Sequence, residues 1–447
     1  MPADQPTSRG PSAKRSVSLL GAIAIGIGGM VGGGIFAVLG EAASLARGGT
    51  AVAFALGGLI AALTAYSYAH LSVAHPSRGG TITFIDTAFG RNLLSGGANV
   101  MLWLSYLVTI ALYATAFGSY CAALLPSSLS DSSFVQHLLI SVAIVAPTVI
   151  NILSASVVSR AETAIVVFKL ALLAVVIAAG ASGLSGSRLS PANWPGPVGL
   201  LTAGMVIFVA YEGFELIANA AEDVKDPRRT LPRAYYLSVG IVVMLYVVIA
   251  AITVSVLNTA QIDEYKDYAL AAAAEPSLGQ VGFVLVAVAA IAATLSAINA
   301  TVYGNARLGY ILAVDGELPT SQAWERHQVP VVGATTIAGA SLLLANFIPI
   351  RSIAIISSAS FLLVFTIVNA AAWRLSHEIG ARRWVVIVAT VASAVALVVL
   401  LWHSASTDLA ALAVFTGFVA LSVGGEFIYG RFVRGHFLGR PYRADHR

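Results

Sequence analysis

Charged residues and cysteines are scarce in this sequence. Only 10% of the 447 residues are Asp, Glu, Lys or Arg, whereas a soluble domain usually carries about 25% charged residues. Apolar residues make up 58% of the chain, and the mean hydropathy is +0.85. The single cysteine, Cys121, excludes an intrachain disulfide and a cysteine-based metal site. The composition therefore indicates a chain that lies within a membrane.

Motifs of catalysis and nucleotide binding are also missing. The sequence contains no phosphate-binding GxxxxGK[ST] loop and no GxSxG nucleophile motif. All eight histidines fall in loops, tails or the ends of apolar segments, so a metal centre inside the membrane has no ligands. The longest polar loops, near 258–278 and 313–330, are far shorter than the roughly 50 residues of a small folded domain. Enzymatic activity, a cofactor and a second domain are not expected.

Apolar segments of about 20 residues, the length that crosses a bilayer, cover most of the chain. Twelve are predicted, at 18–40, 51–73, 97–125, 134–153, 163–183, 199–221, 231–257, 279–312, 331–348, 351–373, 384–402 and 407–429. The sequence therefore predicts an all-α polytopic membrane protein. Its single membrane domain spans 18–429, after a polar leader at 1–17 and before a basic tail at 430–447.

The distribution of basic residues predicts the orientation, because Lys and Arg accumulate on the cytoplasmic side of membrane proteins. Of the 25 basic residues, 20 fall on the side of the two termini and Lys169 falls inside a segment. The opposite side receives Arg47, Arg188, Lys266 and Arg351. Both termini are therefore expected in the cytoplasm. The excess of Arg over Lys suggests a GC-rich genome, hence a bacterial plasma membrane. The basic residues report topology, so a nucleic-acid partner is not expected.

Three consecutive glycines, Gly32, Gly33 and Gly34, interrupt the first apolar segment near its middle. Each costs about 1 kcal/mol relative to alanine within a helix, and the bilayer offers no water to a freed backbone amide. Close helix packing through small residues is one explanation, but packing does not require three glycines in a row. We therefore predict an unwound loop whose amides attract a carboxylate and whose vacated carbonyls, near Met30, receive an ammonium group.

Ionisable residues inside two other segments are further candidates, because such residues are costly in a membrane and usually functional. Glu212 and Glu215 flank Gly213 in the sixth segment, where an inverted repeat would place a second break. Structural pairing of these acids is the alternative. Lys169 lies in the fifth segment. Its long side chain either reaches back to the interface or buries an amine that exchanges a proton during transport.

These segments together resemble the amino acid/polyamine/organocation (APC) superfamily. The residues that carry the resemblance are 28–36, 76–80, 208–215, 221–234 and 296–301. The resemblance implies a leucine-transporter-like fold with two inverted repeats of five helices, at about 18–183 and 199–373. Helices 1 and 6 would be broken, and two further helices would lie at 384–429.

The resemblance also implies roles for particular residues. The substrate carboxylate would lie on the amides of Gly32, Gly33 and Gly34, and its amine on carbonyls of Met30, Phe208 and Tyr211. Lys169 matches a lysine that replaces sodium in several relatives, with Ser296 near its ammonium group, so proton coupling is favoured. Glu215 would be protonatable, and Glu212, whose position is apolar in some relatives, would favour cationic groups in the pocket.

The sequence therefore predicts a permease that works by alternating access, a secondary active transporter of amino acids in symport with protons. Uptake or exchange of polyamines or other organic amines is an alternative that Glu212 supports. A nutrient sensor or partner subunit that binds its ligand without transporting it is an alternative of another class. The expected partners are an amino acid or amine, protons and the lipid bilayer.

Overall fold

The computed structural model describes residues 15–153, 158–326 and 329–432, so most of the predicted leader and tail lie outside the described residues. In its first half the chain forms helices α1 (Leu19–Met30), α2 (Gly34–Ala46), α3 (Thr50–Ala74), α4 (Thr81–Phe89), α5 (Leu93–Ala122), α6 (Ser127–Ser130), α7 (Ser133–Leu153), α8 (Val158–Gly180) and α9 (Gly186–Leu189). The second half forms α10 (Gly196–Val206), α11 (Leu216–Asn219), α12 (Pro227–Val256), α13 (Thr259–Glu264), α14 (Ala269–Val314), α15 (Val331–Phe347), α16 (Ile350–Arg374), α17 (Arg383–Thr407) and α18 (Leu409–Phe432).

Short elements connect these helices. Single 3-10 turns lie at Arg47–Gly49, Ala181–Gly183, Pro191–Asn193, Phe208–Tyr211, Ala221–Asp223, Lys266–Tyr268 and Thr320–Ala323. Two-residue strands β1 (Glu325–Arg326) and β2 (Val329–Pro330) pair antiparallel before α15.

Each of the twelve predicted segments contains a helix or a broken pair of helices, which confirms the all-α polytopic architecture. Within the described residues, eight helical stretches are long and apolar enough to cross a membrane alone, and a bent pair makes a ninth. Helix α14 extends beyond the predicted segment, but Gly279 interrupts its helical backbone with φ 65° where that segment was predicted to start. Helices α4 and α13 lie between segments and were not predicted.

The first segment is interrupted at the glycines. Helix α1 ends at Met30 and α2 begins at Gly34, so residues 31–33 connect the two halves. The backbone bond from Ala37 to the Gly33 carbonyl, at 3.0 Å, opens the second half. The predicted break is confirmed at the predicted residues.

The sixth segment is interrupted in the same way. After α10 the chain makes the 3-10 turn Phe208–Tyr211, extends at Glu212, and then turns at Gly213 with φ 117°. The two halves are bent by 51° relative to each other. Because a φ of this sign favours glycine, Gly213 permits the second break that the sequence predicted.

The two ends of the bundle are held by different contacts. At one end, here called the N-terminal face, Val17 pairs with Val224, and the Ser16 amide donates to the Asp223 carbonyl at 2.9 Å. At the opposite face the Lys266 ammonium lies 3.2 Å from the Glu41 carboxylate. Contacts at both faces thus hold the two ends of the first broken segment.

Helix α5 forms the centre of the bundle. Its most apolar stretch is 94% buried, whereas those of α17 and α18 are 28% and 22% buried. Helices α7, α14, α15, α16 and α18 all pack directly against α5. The outer helices present apolar side chains such as Val398 and Phe432 to the surroundings, as expected where lipid is the solvent.

Candidate functional site

The two broken segments cross at positions without side chains. A Cβ atom built on Gly29 would lie 2.7 Å from the Gly213 carbonyl oxygen, and one built on Gly34 would lie 2.8 Å from the Ala210 Cα. Such separations leave no room for a methyl group. The structure therefore brings the predicted residues of the first and sixth segments together at one place.

The first break leaves backbone amides at the start of α2 for an anion, although the Gly32 amide already donates to the Gly29 carbonyl at 3.2 Å. The first amides of α2 have no acceptor within their own helix and form the positive end of its dipole. The Tyr113 ring of α5 contacts Gly33 directly, and Ala297 of α14 lies against Gly32. The Met30 carbonyl accepts a hydrogen bond of 2.7 Å from the Tyr246 hydroxyl. Side chains of three neighbouring helices thus surround the loop.

Phe208 and Tyr211 are fully buried beside the second break. The Tyr211 hydroxyl donates to the Phe54 carbonyl at 2.7 Å. The Phe208 ring packs edge-on against Phe365, with 6.0 Å between ring centroids. Both aromatic side chains are engaged in packing, which leaves their backbone carbonyls as the groups for a ligand.

Each glutamate of the sixth segment has a hydroxyl partner from α5. The Thr109 hydroxyl donates to Glu212 Oε2 at 2.8 Å. The Tyr106 hydroxyl donates to Glu215 Oε1 at 3.0 Å, and the Gly213 amide donates to its Oε2 at 2.8 Å. Both carboxyl groups are buried, with exposed fractions of 4% and 2%. Two acids that can hold a proton therefore lie within the second break.

Lys169 is buried, with an exposed fraction of 2%. Its Nζ donates to the Gly28 carbonyl at 3.1 Å. This contact shows that the side chain does not reach back to the interface, since the amine points to the first broken helix rather than to the protein surface. Ser296 is partly buried on α14, and its hydroxyl makes no hydrogen bond to any residue that the structure describes.

The sequence analysis missed Thr109 and Ser358, which support the breaks, and weighed Tyr106 and Tyr113 only as aromatic residues that could line a pocket. Tyr106, Thr109 and Tyr113 follow the spacing i, i+3, i+7, which places them on one face of α5, and this spacing was the available signal. Ser358 of α16 accepts from the Val209 amide at 3.0 Å and donates to the Val206 carbonyl at 2.7 Å. It thereby satisfies backbone groups where α10 ends.

Comparison with known proteins connects this geometry to a family. The chain matches the sequence profile of the family described as "Amino acid permease" over residues 17–423. It is 33% identical to the "Inner membrane transport protein YbaT" of Escherichia coli (strain K12) over 93% of this chain and 96% of the relative.

More distant relatives carry names that specify substrates. The "Branched-chain amino acid permease BcaP" of Bacillus subtilis (strain 168) is 24% identical over 82% of each chain. The "Methylthioribose transporter" of the same organism is 24% identical over 81% of this chain and 82% of its own. The region matched by the family profile, residues 17–423, includes both breaks. This match confirms the resemblance to the APC superfamily that the motifs suggested. The chain therefore belongs to the amino acid permease family.

Proposed function

We propose that the protein is a proton-coupled secondary active transporter of amino acids that works by alternating access. The observation that carries this proposal is the hydrogen bond between the Lys169 ammonium and the Gly28 carbonyl. Gly28 precedes Gly29, at which the first broken segment crosses Gly213. A change in the charge of Lys169 would therefore act directly on the junction of the two broken segments.

In this proposal the substrate binds between the two breaks. Its α-carboxylate lies on the amides of Gly32, Gly33 and Gly34, since amides at a helix N-terminus favour an anion. Its amine lies on carbonyls of Met30, Phe208 and Tyr211. The burial of these residues supports the proposal, because hydrogen bonds to a charged group strengthen in a site that excludes water.

The proton is exchanged by groups that contact the same junction. Protonated Lys169 donates to the Gly28 carbonyl and holds α1 against α8. Loss of the proton removes the charge-assisted bond and frees α1 to move. Glu215 is a second proton site, because its carboxyl group is buried within the second break, where its Oε2 accepts from the Gly213 amide. Ser296 is proposed as a further partner of the lysine as the helices shift.

The proposed setting is a bacterial plasma membrane with both termini in the cytoplasm. The N-terminal face carries Arg78, Arg91 and Arg374, whereas Lys266 and Arg351 lie at the opposite face. The positive-inside rule supports this orientation. We retain the proposed division into two repeats, at 18–183 and 199–373, with helices α17 and α18 outside them.

Reconstitution into liposomes tests the proposal. Uptake of radiolabelled amino acids should be driven by an inward proton gradient and not by an inward sodium gradient. The Lys169→Gln variant should lose proton-driven accumulation, whereas Lys225→Gln, which removes an exposed lysine, should retain it. Accumulation driven by sodium alone, or full proton-driven uptake by Lys169→Gln, would contradict the proposed coupling. Binding without transport under any gradient would instead support the sensor alternative.

Transport of polyamines or other organic amines is a second candidate, favoured by Glu212. This buried carboxyl group has a neutral hydroxyl partner from Thr109 and lies within the break, where a cationic ligand could bind it. Competition separates the two candidates. Amines without a carboxylate should inhibit uptake if Glu212 selects the substrate, and should fail to inhibit if the glycine amides do.

A further inference from the structure

Acidic side chains converge at the N-terminal face, outside the predicted membrane segments or at their ends. The cluster consists of Asp86 on α4, Asp315 and Glu317 after α14, Glu426 on α18, and Arg91 between α4 and α5. Asp86 and Glu317 are 2% and 6% exposed. Buried carboxylates are costly unless they are paired or protonated.

One amide group serves two of these acids. The Asn99 Nδ2 lies 3.1 and 3.3 Å from the two carboxyl oxygens of Glu317, and 3.2 Å from Asp86 Oδ1. Asn99 is fully buried, and its Oδ1 has no hydrogen-bond partner within the described residues. Because this one amide lies within hydrogen-bond distance of both carboxyl groups, Asn99 joins Asp86 and Glu317 into a single buried pair.

The surrounding charges favour a proton on Glu317. Arg91 lies 3.5 Å from Asp86 and 3.1 Å from Asp315, so its charge is directed at those two acids. Desolvation, with the nearby charges of Asp86, Glu426 and Asp315, raises the pKa of Glu317 to about 8. Desolvation also raises the pKa of Asp86, to about 6, although Asn99 and Arg91 oppose the rise. Glu317 therefore loses its proton near pH 8.

The position of Glu317 is fixed by the end of α14. Gly316 adopts φ 80°, which ends the helix. The Glu317 amide then donates to the Leu312 carbonyl at 2.7 Å. This hydrogen bond fixes the turn that carries Glu317 to α14. Repulsion between Glu317 and Asp86 would therefore displace α4, which carries Asp86.

Helix α4 links this cluster to the second break. Its first turn follows Gly80, which packs directly against the Asn219 side chain at the end of α11. Just before α4, Arg78 pairs with Glu222 at 3.6 Å and with Asp223 at 3.8 Å. One end of α4 thus contacts the chain after the broken sixth segment, and the other end carries Asp86.

We propose that Asp86 and Glu317, joined by Asn99, form a proton-binding site at the N-terminal face that controls the position of α4. With a proton bound, the carboxyl pair holds α4 against the end of α14. Loss of the proton makes the two acids repel each other, and α4 releases the chain around α11. This site is separate from Lys169 and Glu215, so it regulates opening rather than supplying the transported proton.

Thiol labelling tests the proposal without substrate or ion gradients, so its failure is distinguishable from a failure of the proposed transport. In a Cys121→Ser background, Ala218→Cys reports exposure beneath Gly80, since a Cβ atom built on Gly80 would lie 3.3 Å from the Ala218 Cβ. The exposed Ser321→Cys serves as the reference for thiol ionisation. The ratio of the two labelling rates should rise about fivefold or more between about pH 6.5 and about pH 9.

Variants separate the proton site from a merely structural role. Glu317→Gln should keep the ratio low and independent of pH, whereas Glu325→Gln, which alters an exposed acid of the same loop, should behave as wild type. Asp86→Asn should also keep the ratio low across this pH range, because a deprotonated Glu317 then has no carboxylate on α4 to repel. A ratio that stays flat in the wild type, or that rises equally in Glu317→Gln, would overturn the proposal.

Discussion

Gly29 and Gly213 lie against each other where the two broken segments cross. A Cβ atom on Gly29 would lie 2.7 Å from the Gly213 carbonyl oxygen and 2.9 Å from its Cα. Gly213 also has φ 117°, which side chains disfavour. Because the Lys169 bond to Gly28 is adjacent, the geometry of this contact also sets the position of the proposed coupling residue.

A substitution at this contact should lower the free energy of unfolding, although it adds only one methyl group. We expect Gly29→Ala to cost about 1–3 kcal/mol of unfolding free energy, since an extra methyl group forces backbone to shift. Gly304→Ala is the matched control, because Gly304 is helical and has nothing within 4 Å of its Cβ position. Thermal unfolding in detergent measures the difference. Equal melting temperatures for the two variants would contradict the close contact.

The hydroxyl of Thr109 should matter for transport through Glu212. Thr109→Val leaves the buried carboxyl group without this donor, at a cost of about 1–3 kcal/mol, so we expect roughly a tenfold or greater loss of kcat/KM for uptake. Thr109→Ser should restore most of it. Thr115→Val is the control, since the Thr115 hydroxyl of the same helix bonds, among the residues that the structure describes, only the Ala111 carbonyl. A loss that Thr109→Ser fails to restore would assign Thr109 to packing.

The sequence predicted the breaks but not the side chains that support them. Consecutive glycines and paired acids are unusual in a membrane segment, so Gly33 and Glu212 stand out. Thr109 and Ser358 do not stand out, because serines and threonines within helices commonly bond the carbonyl four residues earlier. Thr115 does so and has no visible role in the site. Only the packing of α5 and α16 around the breaks distinguishes them.

Other features of the structure could not be predicted from the sequence, for different reasons. The depth of Lys169 was readable from the sequence, whereas its direction depended on which face of α8 turns towards α1. Helix α4 is nine residues long and lies between two apolar segments, so no membrane-length pattern marks it. The link between Asp86 and Glu317 joins residues more than 200 positions apart, and local spacing carries no information about such a contact.

The loop that carries Lys266, between α13 and α14 at the opposite face, should move away from α2 when Gly40 is replaced by a larger residue. Gly40 packs directly on the backbone of Lys266, so Gly40→Val should prevent the loop from docking on α2. We expect Ala43→Cys, in a Cys121→Ser background, to become reactive towards an impermeant maleimide, because Ala43 is fully buried beneath α13. Gly339→Val, at a position with open space, is the control. Unchanged reactivity in Gly40→Val would mean that the loop does not close this face.

Stability should fall as pH rises, because of Glu317. Its pKa is about 8 in the folded protein, against an ordinary value of 4.5. Between these values the folded state binds more protons than the unfolded state, so the free energy of unfolding decreases with pH. Glu317→Gln cannot lose this proton. We therefore expect it to melt at the same temperature as the wild type below about pH 4.5, and several degrees higher above about pH 8.

Thermal unfolding in detergent across this pH range measures the effect, with Glu325→Gln as the control for loss of an exposed carboxylate. That control should follow the wild type at every pH, since an exposed acid has little to gain from neutralisation. The advantage of Glu317→Gln should grow between about pH 5 and about pH 8 and then stay constant, because both states of the wild type are then deprotonated. An advantage that is the same at every pH would show that the substitution relieves packing, and that Glu317 carries no proton in the folded protein.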